Sequence, residues 1–271
     1  MMQRIQRRVR VYGALAAMMP KLFMAYSIWV WMQLFVNLLA IIIFVYFWRA
    51  VYAGSSTIGG LNYQQTINYI LLAQVLTPLA YNSNLIYHFG HLMREGLFGI
   101  ELLRPIDFQA NVYIQQLAEL LVALILNLPL GIMAWFFFGL QLPTDPLVWL
   151  CFIITAALGN AVLFLFDYIV ACISFYITEI WGLSVLRFGI STFLSGALVP
   201  LEMMPHWLQQ ITLALPFAQA LYAPVSILSG ITSTAQAPRL WLVQLLSIVA
   251  LGVVSRLVFQ HAARQVTVQG G

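Results

Sequence analysis

The chain has 271 residues, of which 62% are apolar and only 7% charged, with a formal net charge of +4. A soluble domain of this length carries roughly a quarter charged residues, so these side chains cannot cover a water-facing surface and lipid must be the main solvent. No long polar stretch remains to build a separate soluble domain, and the chain reads as a single transmembrane domain over 1–271. There is no GxxxxGK[ST] loop, so any ATP energy must be captured by another chain.

Residues 4–22 mix Arg4, Arg7, Arg8, Arg10 and Lys21 with Val9, Val11, Tyr12, Leu15 and Met18. That pattern predicts an amphipathic helix lying on the inner membrane surface. The apolar run that follows, Ser27–Trp48, is 22 residues long. A signal-peptide core is shorter, about 7–15 residues, and ends at a small-x-small site, so the run reads as an uncleaved first span. A bilayer core about 30 Å thick needs roughly 20 apolar residues in a helix. Further segments of that kind are Thr66–Tyr87, interrupted by Gln74, Pro78 and Asn82, then Tyr113–Phe138, Leu147–Cys172, Gly182–Val199 and Leu240–Phe259. The predicted fold is all-α and polytopic, with six transmembrane helices.

Lys and Arg set the orientation. With the N-terminus inside, ten of the twelve basic residues fall in or near cytoplasmic segments, and only Arg49 and Arg239 fall outside. Both termini are therefore expected in the cytoplasm. Residues 200–230 are apolar yet broken by Pro200, Pro205, Pro216 and Pro224. Short re-entrant helices in the outer leaflet, packed on protein, would reconcile these facts. Cys151 and Cys172 lie 21 residues apart in one apolar stretch, about 31 Å along a helix, beyond disulfide reach; both read as packing residues.

The longest cytoplasmic connector is 88–111, reading HFGHLMREGLFGIELLRPIDFQAN. Its charges, Arg94, Glu95, Glu101, Arg104 and Asp107, are interleaved with apolar residues including Leu97, Phe98, Leu102 and Leu103. A short amphipathic helix docking on a partner needs that mixture, and Arg104–Pro105 ends or bends it. A loop lying in the headgroups is the competing reading. His88, His91 and Glu95 share one helical face and resemble part of a metal site, but further ligands are missing and histidines at a membrane edge are usually interfacial.

Charges within spans are costly and often functional. Asp167 and Arg187 are equidistant from position 177, so a tight hairpin there places them at one depth, where they either pair or reach the inner headgroups separately. Gln74, Thr77, Pro78 and Asn82 mark a face of the second span that either lines a pathway or fastens helices together. No GxSxG, HExxH or paired acids occur in one span, which argues against an intramembrane enzyme.

Gly96–Asp107, GLFGIELLRPID, resembles the LLRPI element after the second span of type-2 ABC exporter permeases. Ser195–Gly230, with its small-residue turn, P-x-x-x-x-P-x-W, L-P-F and a later proline, resembles that family's segment before the last span. The resemblance covers nearly the whole chain. It implies a permease in a cell (inner) membrane that forms the substrate pathway as a dimer with a second permease subunit, identical or paralogous, among membrane lipids. It also implies separate ABC ATPase subunits that bind ATP and Mg, with no cofactor in this chain and no nucleic-acid partner. Arg94, Glu95, Gly96, Glu101, Leu103, Arg104, Pro105 and Asp107 would belong to the ATPase-coupling region. The alternatives are a membrane enzyme acting on lipid-linked substrates and a non-transporting scaffold. The cargo class (drug, lipid, glycan or peptide) stays open.

Overall fold

A computed structural model describes residues 27–81, 84–103, 105–177 and 179–264. The expected interfacial helix over 4–22, and the site residues Asn82 and Arg104, lie outside the described residues. Helix α1 (Ser27–Val51) leads through a small hairpin, β1 (Thr57–Ile58) and β2 (Leu61–Asn62), into α2 (Tyr63–Val75). Next come α3 (Pro78–Tyr81), α4 (Leu85–Arg94), α5 (Phe98–Leu102) and the long α6 (Phe108–Phe138). Helix α7 (Pro146–Ala171) ends in a 3-10 turn, Cys172–Phe175, and is followed by α8 (Trp181–Leu194). Three short helices, α9 (His206–Ala214), α10 (Pro216–Ala220) and α11 (Tyr222–Leu228), precede the last helix, α12 (Ala237–Ala263).

The long helices begin where their sequences supply caps. Asn62 and Gln65 form a reciprocal capping box on α2. The Asp107 carboxylate accepts the Ala110 N–H, and the Asp145 carboxylate accepts the Leu147 N–H ahead of Pro146. Such caps satisfy amides that have no intrahelical partner.

The outer surfaces of these helices identify their solvent. Among the residues of α1 whose side chains are described, Ile41, Val45 and Trp48 are buried, while Trp31, Phe35, Ile43 and Phe47 are exposed. Exposed apolar area on that scale is not stable in water. By length and composition, four segments among the described residues suffice to cross a membrane: Trp31–Gly54, Phe108–Phe138, Pro146–Phe175 and Thr234–Ala263. The pair His206–Ala214 and Pro216–Leu228, bent by 71°, makes a fifth if counted as one broken span. The chain is an all-α, multi-pass membrane protein.

Two of the six expected segments differ from uninterrupted spans. The segment Thr66–Tyr87 is broken after Val75, because Pro78 has no amide to bond four residues back. The carbonyls left over are satisfied locally: Thr77 Oγ1 donates to Gln74 O at 2.9 Å and Asn127 Nδ2 donates to Val75 O at 3.1 Å. The fifth segment is helical only over Trp181–Leu194, 14 residues, or about 21 Å, and ends in the turn at Ser195–Gly196.

Helix α7 packs along α12 and carries α10 and α11 on one side. Gly159 makes this possible, since a Cβ there would overlap the backbone carbonyl of Gln219. Gln244 Nε2 on α12 donates to Thr155 O and Gln219 O, both at 3.1 Å, and Trp241 Nε1 donates to Thr155 Oγ1 at 2.8 Å. We predict that Gly159→Val lifts α10 from α7 and destabilises the protein by about 2 kcal/mol or more. A thermal melt in detergent unchanged from wild type would rule out this close approach.

Candidate coupling region

Helix α4 ends because Gly96 adopts φ +65°. Its amide donates to Met93 O at 3.3 Å and the Leu97 amide donates to Leu92 O at 3.0 Å. This Schellman closure needs a left-handed residue, which glycine supplies without a Cβ penalty. The chain thus turns sharply from α4 into α5. Asp107 then caps α6, so the connector is fixed at both ends by backbone hydrogen bonds.

Between those ends the side chains divide by direction. Phe98 is 1% exposed and is the one buried side chain of α5. Leu97, Ile100 and Leu103, spaced three apart, are all exposed, and Leu103 reaches 85%. Arg94, Glu95, Gly96 and Pro105 are also exposed, with Glu101 half-buried beside them. The result is an apolar ridge flanked by both signs of charge. On α4, His91 is exposed and His88 half-buried. The sequence names Leu97 and Leu103 together with the buried Phe98 and passes over Ile100, because a ridge and a core look alike in an apolar chain.

Asp107 has a structural duty as well. Its Oδ2 accepts Arg256 Nη1 at 2.6 Å, joining the start of α6 to the last turns of α12. The Arg256 hydrogen bond, reinforced by the Ala110 and Gln109 amides, holds the Asp107 carboxyl below its ordinary value against the opposing effect of burial. Folding therefore favours the ionised form. The pair's contribution is complete above the ordinary carboxylate range and is lost as pH falls through the lowered value. Both partners are largely exposed, so the contribution is small. We predict that Asp107→Asn lowers thermal stability slightly at neutral pH, and that the difference from wild type vanishes in strong acid. A constant difference across pH would contradict the pairing.

Asp167 on α7 and Arg187 on α8 lie together. Arg187 Nε donates to Oδ1 at 2.9 Å and Nη2 donates to Oδ2 at 2.6 Å, and both side chains are buried. Arg187 and Ser191 are the buried residues of α8, one turn apart, and Ser191 Oγ donates to Ala80 O at 3.3 Å. This polar stripe holds the helix together with apolar contacts through Leu183, Phe188 and Leu194. Removing one member of a buried pair strands the other, at a cost of about 3–5 kcal/mol. We predict that Arg187→Ala or Asp167→Ala alone lowers folded yield and melting temperature more than Asp167→Asn with Arg187→Gln. Equal effects would mean that the two charges act separately.

The described candidates of the second segment make bonds within the chain. Gln74 Nε2 donates to Ala197 O at 3.1 Å, Thr77 bonds to Gln74 O, and Pro78 opens α3. Tyr69 adds a bond from its hydroxyl to Gly196 O at 2.9 Å. Asn127, which ties the break in this segment to α6, had no distinguishing mark in the sequence beyond being polar.

Long helices with exposed apolar surfaces, and a connector that presents an apolar ridge between charges, define a multi-pass membrane protein. The family model described as ABC-2 family transporter protein matches residues 22–270, and the chain belongs to that family. It is accordingly the membrane permease of an ABC transporter, a class whose members work with an ABC ATPase. No curated protein matches the chain.

Proposed function

We propose that this chain is the pathway-forming subunit of an ABC exporter and that α4–α5 is the handle gripped by a separate ATPase. The observation that supports this most is the exposed ridge of Leu97, Ile100 and Leu103 beside Arg94, Glu95 and Glu101. Burial of that ridge against a partner is favourable, and the flanking charges fix orientation. Arg104 belongs to the same segment of sequence.

In this reading the polypeptide makes six crossings: four by continuous helices, one by the broken α2–α4 segment and one by α8. Both termini and the connector face the cytoplasm, in the cell (inner) membrane. Helices α9–α11 cap the outer exit. Two permeases, identical or paralogous, enclose the path, and two ATPases below bind ATP and Mg. ATP shifts the inward and outward states only through contacts that differ between them, so the handle is displaced in one state relative to the other. The cargo is a drug, lipid, glycan or peptide, and the charge-poor spans disfavour a highly charged one.

The test is co-purification of the tagged chain with its ATPase from native membranes. Ile100→Glu and Leu103→Glu each place a charge on the ridge, and Glu101→Arg and Arg104→Glu reverse its flanks. We predict that the ridge variants lose most bound ATPase, and that the charge reversals reduce ATPase stimulation without loss of folded permease. Normal association and stimulation in all four variants would refute the handle.

A further inference from the structure

We infer that Phe98 is the positioning residue through which movement of the α5 handle reaches α12 and the end of α7. The inference rests on the exporter reading above and concerns how the handle is joined to the bundle.

The handle is small and its side-chain anchorage is concentrated. Helix α5 has five residues, and Phe98 alone among them is buried. Its ring lies 4.8 Å from Phe175 in the turn after α7, 5.3 Å from Phe108 at the start of α6, 6.1 Å from Phe259 on α12 and 6.3 Å from Phe89 on α4 (centroid distances). These partners also touch one another. Phe108 stacks on Phe259 at 5.4 Å with 12° between planes, and Tyr168 of α7 lies 5.2 Å from Phe89 and 5.5 Å from Phe259. A displacement of α5 therefore pushes at once on four neighbouring elements.

A second link exists, the Asp107–Arg256 pair, but it is exposed, and exposed pairs contribute little. A buried ring in a close-packed cluster transmits strain, because there is no empty volume into which it can yield. Aromatic pairs also contribute beyond their area. The ring cluster is thus the stiffer of the two links. A ring needed only for packing and one needed for transmission differ in consequence. The first lowers stability when removed, whereas the second also lets α5 move without α12.

The experiment uses the full chain with its ATPase in lipid nanodiscs. Cys151 and Cys172 are buried and stay in place. Spin labels on Leu102→Cys, exposed on α5 and off the ridge, and on His261→Cys, also exposed, report the α5–α12 distance distribution by pulsed EPR. Separately, maleimide labelling of Arg239→Cys, exposed at the other end of α12, reports the response of that end to ATP and vanadate. We expect Phe98→Ala to broaden the distance distribution and abolish the nucleotide-dependent change in labelling while ATP hydrolysis continues. Phe98→Met, which refills the volume, should restore both. Phe137→Ala, removing a ring that is 75% exposed, should change neither. If Phe98→Ala does not fold, Phe98→Leu takes its place.

A Phe98→Ala distribution as narrow as wild type overturns the inference, as does a preserved labelling response. Loss of ATPase binding with an unchanged distribution also overturns it, since the ring would then serve docking alone. Failure of the wild-type chain to bind any ATPase instead sinks the exporter reading; the distance distribution of the permease by itself still decides whether Phe98 joins α5 to α12.

Discussion

Hydrocarbon offers a backbone no hydrogen bonds, so each interruption of a helix at membrane depth must be answered by the protein itself. The break before Pro78 is answered by Thr77 and Asn127. The turn at Gly196–Ala197 is answered by Tyr69 and Gln74. At the junction of α9 with α10, Gln219 Nε2 donates to Ala214 O at 3.2 Å, and the Gln219 carbonyl in turn receives Gln244. These bonds account for Thr77, Asn127, Tyr69, Gln74, Gln219 and Gln244, while other polar side chains join continuous helices, as Gln109 of α6 does with Ser255 of α12. Each such bond contributes only about 0.6–2 kcal/mol in a membrane, but omission leaves a bare carbonyl in lipid. Several polar side chains of this chain therefore stand where regular structure stops.

The same constraint explains what could be read in the sequence. Helices α1, α6, α7 and α12 are continuous and apolar, and length alone locates them. Pro78 announced an interruption, but the position of the break depends on Asn127, 52 residues away. The apolar run to Val199 outlasts its helix because the turn at Ser195–Gly196 is made by backbone conformation, to which hydropathy is blind; Gly196 sits at φ +81°. Equal spacing from position 177 put Asp167 and Arg187 at one depth, whereas the parallel pair of hydrogen bonds depends on the two side chains turning toward each other, which spacing does not give.

In the connector, charge was legible and packing was not. Arg94, Glu95 and Leu103 stand out against their surroundings, yet Leu97, Phe98 and Ile100 are three neighbouring apolar residues with opposite fates. In a water-soluble protein the polar side of a helix reveals the buried side. Where lipid covers the outside, both sides are apolar and that contrast disappears. The cap formed by Gly96 is the exception, because a glycine between a charged helix end and an apolar turn has a definite conformational use.

The two halves of the bundle are joined by different forces, and this gives the molecule a mechanical direction. Midway along α7, the helices α7, α12 and α10 are stitched by directional hydrogen bonds through Gln244, Trp241 and Gln219, and Gly159 lets the backbones approach. Separating these elements would strand several polar groups at once. At the connector, the same α7 and α12 meet rings, whose contacts tolerate small rotations but exclude overlap. Helix α2 also faces α11, where Tyr69 touches the Tyr222 ring and the Tyr222 hydroxyl donates to Glu202, but the Pro78 break separates α2 from α4. A push on the rings at the connector therefore travels along α7 and α12 as a unit and carries α10 and α11 with them. In the proposed transporter, the lever is the α7–α12 pair, the elements in which ring contacts and directional hydrogen bonds meet.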